Sequence, residues 1–346
     1  MNTQLSDDKV VLPKEAIEEF YNYGYYGRPR GESLELSLVE AAFLIEREKL
    51  DMGVTFKEFF IRSAVIQPYF ELKYVVYRDL RERGYYVQPS ITDFRVYPRG
   101  GRPGETSAST YVYVMSERIP VPFTDILDKV RLAQNLRKKM MLAIVDEEGD
   151  LTYYEVKSAT IQGTMPPFNV DLSNADATFL EDRVIVWNEQ TSTALYENGF
   201  FGKLLDGNRL QISLVECAYL MAKGLMVEDG ATGKTFSLKQ FTRRAMSIEP
   251  DFMVKFKVYE DLRERDLVVK TGFKFGGHFR VYTEVRDLKS MPHSKYLVHS
   301  LPEGYIVKLP ELSRGIRLAH GVRKHMIFAY SEDNKLHYVD IGRAKP

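Results

Sequence analysis

Three residues in the second half of this chain, Tyr282, His293 and Lys324, are of types that can do proton and charge chemistry. An imidazole exchanges a proton near neutrality, a lysine is positively charged there, and a phenol titrates near 10. Their spacings of 11 and 31 residues leave it to the fold to bring them together. A repeat singles them out. YRDLRERG at 77–84 returns as YEDLRERD at 259–266, FRVYPRG at 94–100 as FRVYTEV at 279–285, and RLAQNLRKKM at 131–140 as RLAHGVRKHM at 317–326. Tyr97 matches Tyr282 at an offset of 185 and Lys138 matches Lys324 at 186, but His293 meets Ala108 at offset 185. All six histidines lie in the second half. A duplication that keeps Tyr and Lys twice and His once suggests one working site and one retired site. Taken singly, Tyr282 also reads as a sheet aromatic, His293 as a cap, and Lys324 as one cation of a basic helix end.

The elements that must hold these residues repeat as well. Each copy opens with a strand-and-turn segment carrying YGYYG at 23–27 or NGFFG at 198–202. A helix follows, with Leu38, Ala41, Ala42 and Ile45 on one face in the first copy and Leu214, Cys217, Ala218 and Met221 in the second. A second helix ends in YRDLRERG or YEDLRERD. Strand-like segments come next (VVKTGF, HFRVY, KYLVHS and YIVKL in the second copy), then a helix over about 311–325 and a closing hairpin, MIFAY and KLHYVDI. The expected fold is α/β (α+β): a tandem duplication, each repeat a helical α/β subdomain followed by a β-rich one. The first repeat spans 1–158 and the second 176–346, with a linker at 159–175 marked by Pro166-Pro167 and small polar residues.

Composition excludes several classes. No apolar run approaches the roughly 20 residues of a membrane span, and the polar start MNTQLSDDKV lacks a signal-peptide core, so a cytoplasmic protein is expected. One cysteine, Cys217, rules out an intrachain disulfide, and its apolar helical face makes it core filler. With 48 basic and 48 acidic residues the chain does not coat nucleic acid nonspecifically, although a local basic groove is still open to it.

GATGKT at 230–235 imitates a phosphate loop but has Glu228 where the motif needs its first Gly; read as following a helix, it is expected to be a surface turn. Glu260, Asp261 and Glu264 lie among arginines and read as solvated ion pairs. His293, His299, His320 and His325 have no diagnostic metal spacing. The glycine-rich PRGGRPGETS at 98–107 reads as a connection in the retired site.

The segments GFKFGGHFRVY, HSKYLV and RLAHGVRK, in that order, resemble the catalytic region of archaeal tRNA-splicing endonucleases. The resemblance covers essentially the whole chain, since a structural repeat followed by a catalytic one is the organisation of the family's homodimeric members. It implies a tRNA-intron endonuclease with Tyr282, His293 and Lys324 as base, acid and counter-charge, working without cofactor or metal. The implied products are a 2′,3′-cyclic phosphate and a 5′-hydroxyl. It further implies a precursor tRNA partner with a bulge–helix–bulge, whose bulge bases are clamped by Arg317 and Arg343. A homodimer is implied, with the acidic loop Asp146, Glu147, Glu148 and Asp150 docked into a cationic pocket of the partner copy. The phenol is the demanding member, because at pH 7 it needs nearby cations such as Arg280 or Arg323 to act as a base. Alternatives to this reading are a silent RNA-binding subunit and a metal-dependent nuclease.

Overall fold

The structure, a computed structural model, describes residues 4–6, 8–173, 175–205, 208–286, 288 and 291–346. It divides into two compact units, one of residues 1–157 with 306–312 and 342–346, the other of 158–305 with 313–341. Each contains a helical subdomain and a β-rich subdomain built to the same plan. Among the described residues no helix is long and apolar enough to cross a membrane.

In the helical subdomains, S-x-x-E sequences start the core helices. Ser37 caps Leu38–Glu46 and Ser213 caps Leu214–Ala222, each forming a reciprocal capping box with the glutamate at the third helical position. Both glutamates are buried and do a second job. Glu40 accepts from the Gly27 amide and Glu216 from the Gly202 amide, each at 2.9 Å, pinning the aromatic glycine motifs to the helix start. Burial raises the Glu40 carboxyl above its ordinary range. Cys217 is fully buried on this helix.

Two more helices follow in each copy where the sequence showed one: Phe56–Ile66 and Phe70–Glu82, then Leu238–Ile248 and Phe252–Glu264. The first aromatic glycine motif begins within a short helical segment (Ile17–Tyr21 with Asn22–Gly24) and the second follows the helix Glu189–Glu197. Residues 159–173 form no helix or strand; position 174 lies outside the described residues. The segment is nonetheless bonded along the second unit, Gly163 N donating to Arg265 O and Met165 N to Asp266 O. A side chain at Gly163 would meet the Asp266 carbonyl at 1.8 Å, so the path requires glycine.

The β-rich subdomains carry the site. In the second copy, strands Val268–Thr271, Phe279–Tyr282, Tyr296–Leu301, His325–Glu332 and Lys335–Ala344 lie side by side in chain order. All pairings are antiparallel except Tyr296–Leu301 with His325–Glu332, which is parallel and is crossed over by the helix Leu309–Gly321. That helix stops four residues short of expectation, and YIVKL contributes only a two-residue strand, Ile306–Val307. The first unit repeats the pattern with the helix Phe123–Asn135.

On this sheet the rings of His278 and His299 stack at 4.1 Å. Burial, with His299 alongside, pushes the His278 imidazole down to about 3, and burial lowers His299 as well. The Ser300 amide donates to His278 Nδ1 at 3.0 Å, so this nitrogen is unprotonated. The unfolded chain protonates His278 near 6.5 and the folded chain only near 3. The unfolded state therefore binds more protons between these values, and stability falls as pH drops through that window, by at most ~1.4 kcal/mol per pH unit from this group. Urea midpoints are expected to decline from pH 7 to 4, and His278→Asn is expected to flatten that decline.

Candidate active site

Sheet register gathers the three candidate residues at one end. Tyr282 closes its strand opposite Val268, its ring buried against Phe200, Val268 and Val285. On the neighbouring strand Tyr296 stands opposite Val281, and the Lys295 amide donates to the Val281 carbonyl at 3.1 Å. His293 lies two residues before Lys295, in the segment entering that strand, with its side chain exposed. On the third strand His325 pairs with Tyr296, which leaves Lys324 just ahead of it. One side-chain bond closes the group: Lys324 Nζ donates to the Ser294 carbonyl at 2.8 Å, next to His293.

The lysine is set by how its helix ends. Arg323 is left-handed at φ 55°, Lys324 N bonds back to Ala319 O and Arg323 N to His320 O, the two bonds of a Schellman ending. Arg137 repeats the φ of 55° and Lys138 N bonds to Ala133 O. A non-glycine residue there costs about 1–2 kcal/mol. Both copies accept that cost and place a lysine directly after the same backbone ending. Partial burial and the nearby Arg280 charge hold the Lys324 ammonium below the ordinary lysine range.

Two participants escaped sequence reasoning. Ser294 keeps a buried hydroxyl with no partner among the described residues, beside His293. Lys270, opposite Arg280 in the sheet, is mostly buried and donates to the Phe200 and Gly202 carbonyls at 3.0 and 2.6 Å. The left-handed Phe200 of NGFFG turns its carbonyl to the lysine while its ring packs on Tyr282. Of the two arginines considered as helpers for Tyr282, Arg280 lies on the tyrosine's own strand and acts on Lys324, whereas Arg323 is exposed.

Lys270 and Arg280, with Arg183 and Lys203, line a cleft of about 480 Å³ in the second unit beside Asp182, Glu216 and Glu249, and Arg183 pairs with Asp182 at 2.9 Å. The first unit has the equivalent cleft, about 550 Å³, lined by Lys9, Arg28 and Arg95. Strand pairing puts Glu35 there where the second copy has Gln211, and Gln88 where it has Lys270. Glu35 pairs with Lys9 at 2.9 Å and Gln88 accepts from Arg95 at 2.6 Å, so the first cleft neutralises itself.

The first copy holds Tyr97 and Lys138 on the same scaffold, but the counterpart of His293 is Ser107, not Ala108. Ser109 N donates to Val96 O and Lys139 N to Ser109 O, just as Lys295 and His325 do in the second copy. Ser109 therefore matches Lys295, and counting back two residues reaches Ser107. Tyr97 is buried with its hydroxyl on Gln88 at 2.9 Å.

Arg317 is exposed on the helix Leu309–Gly321 and belongs to the second unit; Arg343 is exposed near the end of its strand and belongs to the first. In the acidic loop the four carboxylates differ. Asp146 accepts from the Glu148 and Asp150 amides and shapes the turn, and Glu147 pairs with Arg118 at 2.9 Å. Glu148 and Asp150 are exposed, with carboxylates unpaired among the described residues. The corresponding hairpin of the second copy is a two-residue turn with Asp333 and Asn334 both left-handed.

GATGKT follows the strand Met226–Asp229 and not a helix, contrary to the sequence reading. It is still no phosphate cradle, because the amides of Gly230, Ala231, Thr232 and Gly233 already donate to Phe179 or Asp229. Among the described residues no three His, Cys, Asp or Glu side chains converge as a metal site. His299 stacks on His278, and His325 meets Asp340 at 3.0 Å.

Comparison with known proteins matches this arrangement. The model of the tRNA intron endonuclease catalytic C-terminal domain fits residues 70–153 and again 252–338. The model of the family's N-terminal domain fits residues 1–60 and 175–242. The tRNA-splicing endonuclease of Methanosarcina mazei is 51% identical over 100% of this chain and 99% of its own length. That of Methanococcoides burtonii is 50% identical and that of Haloferax volcanii 36%, each with both chains covered completely. With both domain models matched twice over a doubly built scaffold, this chain belongs to the tRNA intron endonuclease family.

Proposed function

We propose that this chain excises introns from precursor tRNA by cutting both bulges of a bulge–helix–bulge without a metal ion. The observation that carries the reading is the shared sheet end of Tyr282, His293 and Lys324, tied by the Lys324 bond to the Ser294 carbonyl. Tyr282 takes the proton of the 2′-hydroxyl, whose oxygen attacks the adjacent phosphorus. The bond from phosphorus to the 5′-oxygen breaks, and His293 protonates that leaving oxygen. Lys324 offsets the extra negative charge on the phosphate in the transition state. The products are a 2′,3′-cyclic phosphate and a 5′-hydroxyl. Arg317 and Arg343 stack on the unpaired bulge bases.

In this reading residues 176–346 form the catalytic repeat, 159–175 the linker and 1–158 a structural repeat whose acidic loop serves a second copy. Glu148 and Asp150 have carboxylates unpaired among the described residues, and the second-unit cleft presents Lys203, Lys270 and Arg280 beyond its internal Arg183–Asp182 pair. In the first cleft Lys9, Arg28 and Arg95 are matched by Asp8, Glu35 and Glu40, with Lys9 paired to Glu35. A homodimer with two working sites then meets a substrate with two bulges.

The test is end analysis of a labelled bulge–helix–bulge RNA treated with the pure protein in excess EDTA. The expected downstream fragment takes a kinase label directly, and the upstream fragment carries a cyclic phosphate. Cutting that stops in EDTA would favour a metal-dependent nuclease. No cutting without a second polypeptide would mark a silent subunit.

A further inference from the structure

The two β-rich subdomains differ sharply at one hairpin. In the first copy strands Val87–Ser90 and Asp93–Val96 are joined by residues 91–92 alone. In the second copy residues 272–278, GFKFGGH, intervene between Val268–Thr271 and Phe279–Tyr282. The added residues are ordered by their own bonds. Gly272 N donates to His278 O and Phe275 N to Gly272 O, both at 2.8 Å, Phe273–Phe275 forms a 3₁₀ turn, and the left-handed Gly276 lies against Leu318. On this firm base Phe273 is 92% exposed. A single exposed apolar side chain is ordinary, and Ile91 at the first copy's hairpin is 75% exposed too; what distinguishes Phe273 is the patch around it.

The surroundings indicate which ligand. Leu318 and Val322, one helical turn apart, are half exposed beside the turn's contact with the helix. Lys274, Arg314, Arg317 and Arg323 are exposed and unpaired among the described residues. The helix's one carboxylate in this stretch, Glu311, faces Lys308 at 3.8 Å. Aromatic and aliphatic surface among free cations, without free carboxylates, suits a base stacked on a ring with its phosphates on the rim. The turn also communicates with the candidate site. The Arg280 guanidinium sits 5.3 Å over Phe275, its Nε donates to Thr271 O, and its charge lowers the Lys324 ammonium. Phe273 lies at the opposite end of the hairpin from Tyr282, about 10–15 Å along the strands, a few nucleotides away from the cut.

We propose that Phe273 is a stacking platform for an unpaired nucleobase of the bound RNA, a few nucleotides from the scissile phosphate and beside Arg317. This rests on the RNA-cleavage reading above and adds a contact to it. Because stacking involves the π-face of any base, the contact contributes affinity with little sequence preference.

The experiment uses the full-length protein and a bulge–helix–bulge RNA with 2′-deoxy at the cut positions and 2-aminopurine placed in turn at each bulge nucleotide. Binding is read whether or not cleavage occurs. Wild type is expected to quench one position strongly, Phe273→Ala to lose that quench and weaken binding by roughly 5- to 100-fold, and Phe273→Trp to keep both. On cleavable RNA, Phe273→Ala is expected to raise KM with kcat unchanged. Unchanged quenching and affinity in Phe273→Ala would overturn the proposal while leaving the cleavage reading intact. So would a shift in oligomeric state by sedimentation, which would make Phe273 a contact between copies. Failure of wild type to cut the unmodified RNA would sink the cleavage reading, with the quench still deciding the base contact.

Discussion

Lys324→Ala is expected to slow single-turnover cleavage of a bulge–helix–bulge RNA by about 10²–10³-fold, with RNA affinity changing much less. The magnitude is that of removing one preorganised donor from a developing negative charge. The effect belongs to the chemical step, because a charge that grows in the transition state gains more from the ammonium than the ground-state phosphate does. Lys324 is aimed before substrate arrives: the Schellman ending fixes its backbone, and the Ser294 carbonyl holds its Nζ at 2.8 Å. Lys324→Arg should not restore the rate, since a planar guanidinium is not a substitute for a compact ammonium at a site shaped for one. The readout is the single-exponential rate at saturating protein, beside a filter-binding Kd on deoxy-blocked RNA. A drop in affinity equal to the drop in rate would make Lys324 a binding cation.

Reversing two loop charges together, Glu148→Lys with Asp150→Lys, is expected to turn the proposed homodimer into a monomer and remove at least 10²-fold of activity at micromolar protein. Like charges set against a cationic cleft cost several kcal/mol of association, and 1.4 kcal/mol is tenfold. Glu147→Lys should do far less, because Glu147 is already committed to Arg118 within its own chain. Asp146→Ala should act differently again, by freeing the amides of Glu148 and Asp150 and loosening the turn. Sedimentation velocity across a concentration series separates these cases. A double variant that remains a dimer with full activity would end the docking account.

Much of this architecture could be read in the chain because repetition exposes it. Apolar spacing predicted the core helices and their buried faces, and the RLA…RK segments marked the helix end that presents each lysine. Features that depend on pairing across the sheet could not be read this way. The switch from offset 185 at Tyr282 to 186 at Lys324 must occur somewhere in 98–109, a loop with no periodicity to locate it. The amide of Ser109 on Val96 and the matching strand register assign Ser107 opposite His293. Met226–Asp229 is a strand because it pairs with Asp176–Leu180, some fifty residues earlier, and MVED on its own has no strand signal. Lys270 resembled any lysine in a strand until the left-handed Phe200 turned a carbonyl toward it.

In the proposed reaction His293 supplies the proton to the leaving oxygen and no metal takes part. The most direct measurement compares pure wild type with His293→Ala on an end-labelled bulge–helix–bulge RNA in excess EDTA. The account predicts wild-type cutting within both bulges and at least a hundredfold loss in the variant, typical for removal of a general acid. Equal cutting by the two proteins would contradict it.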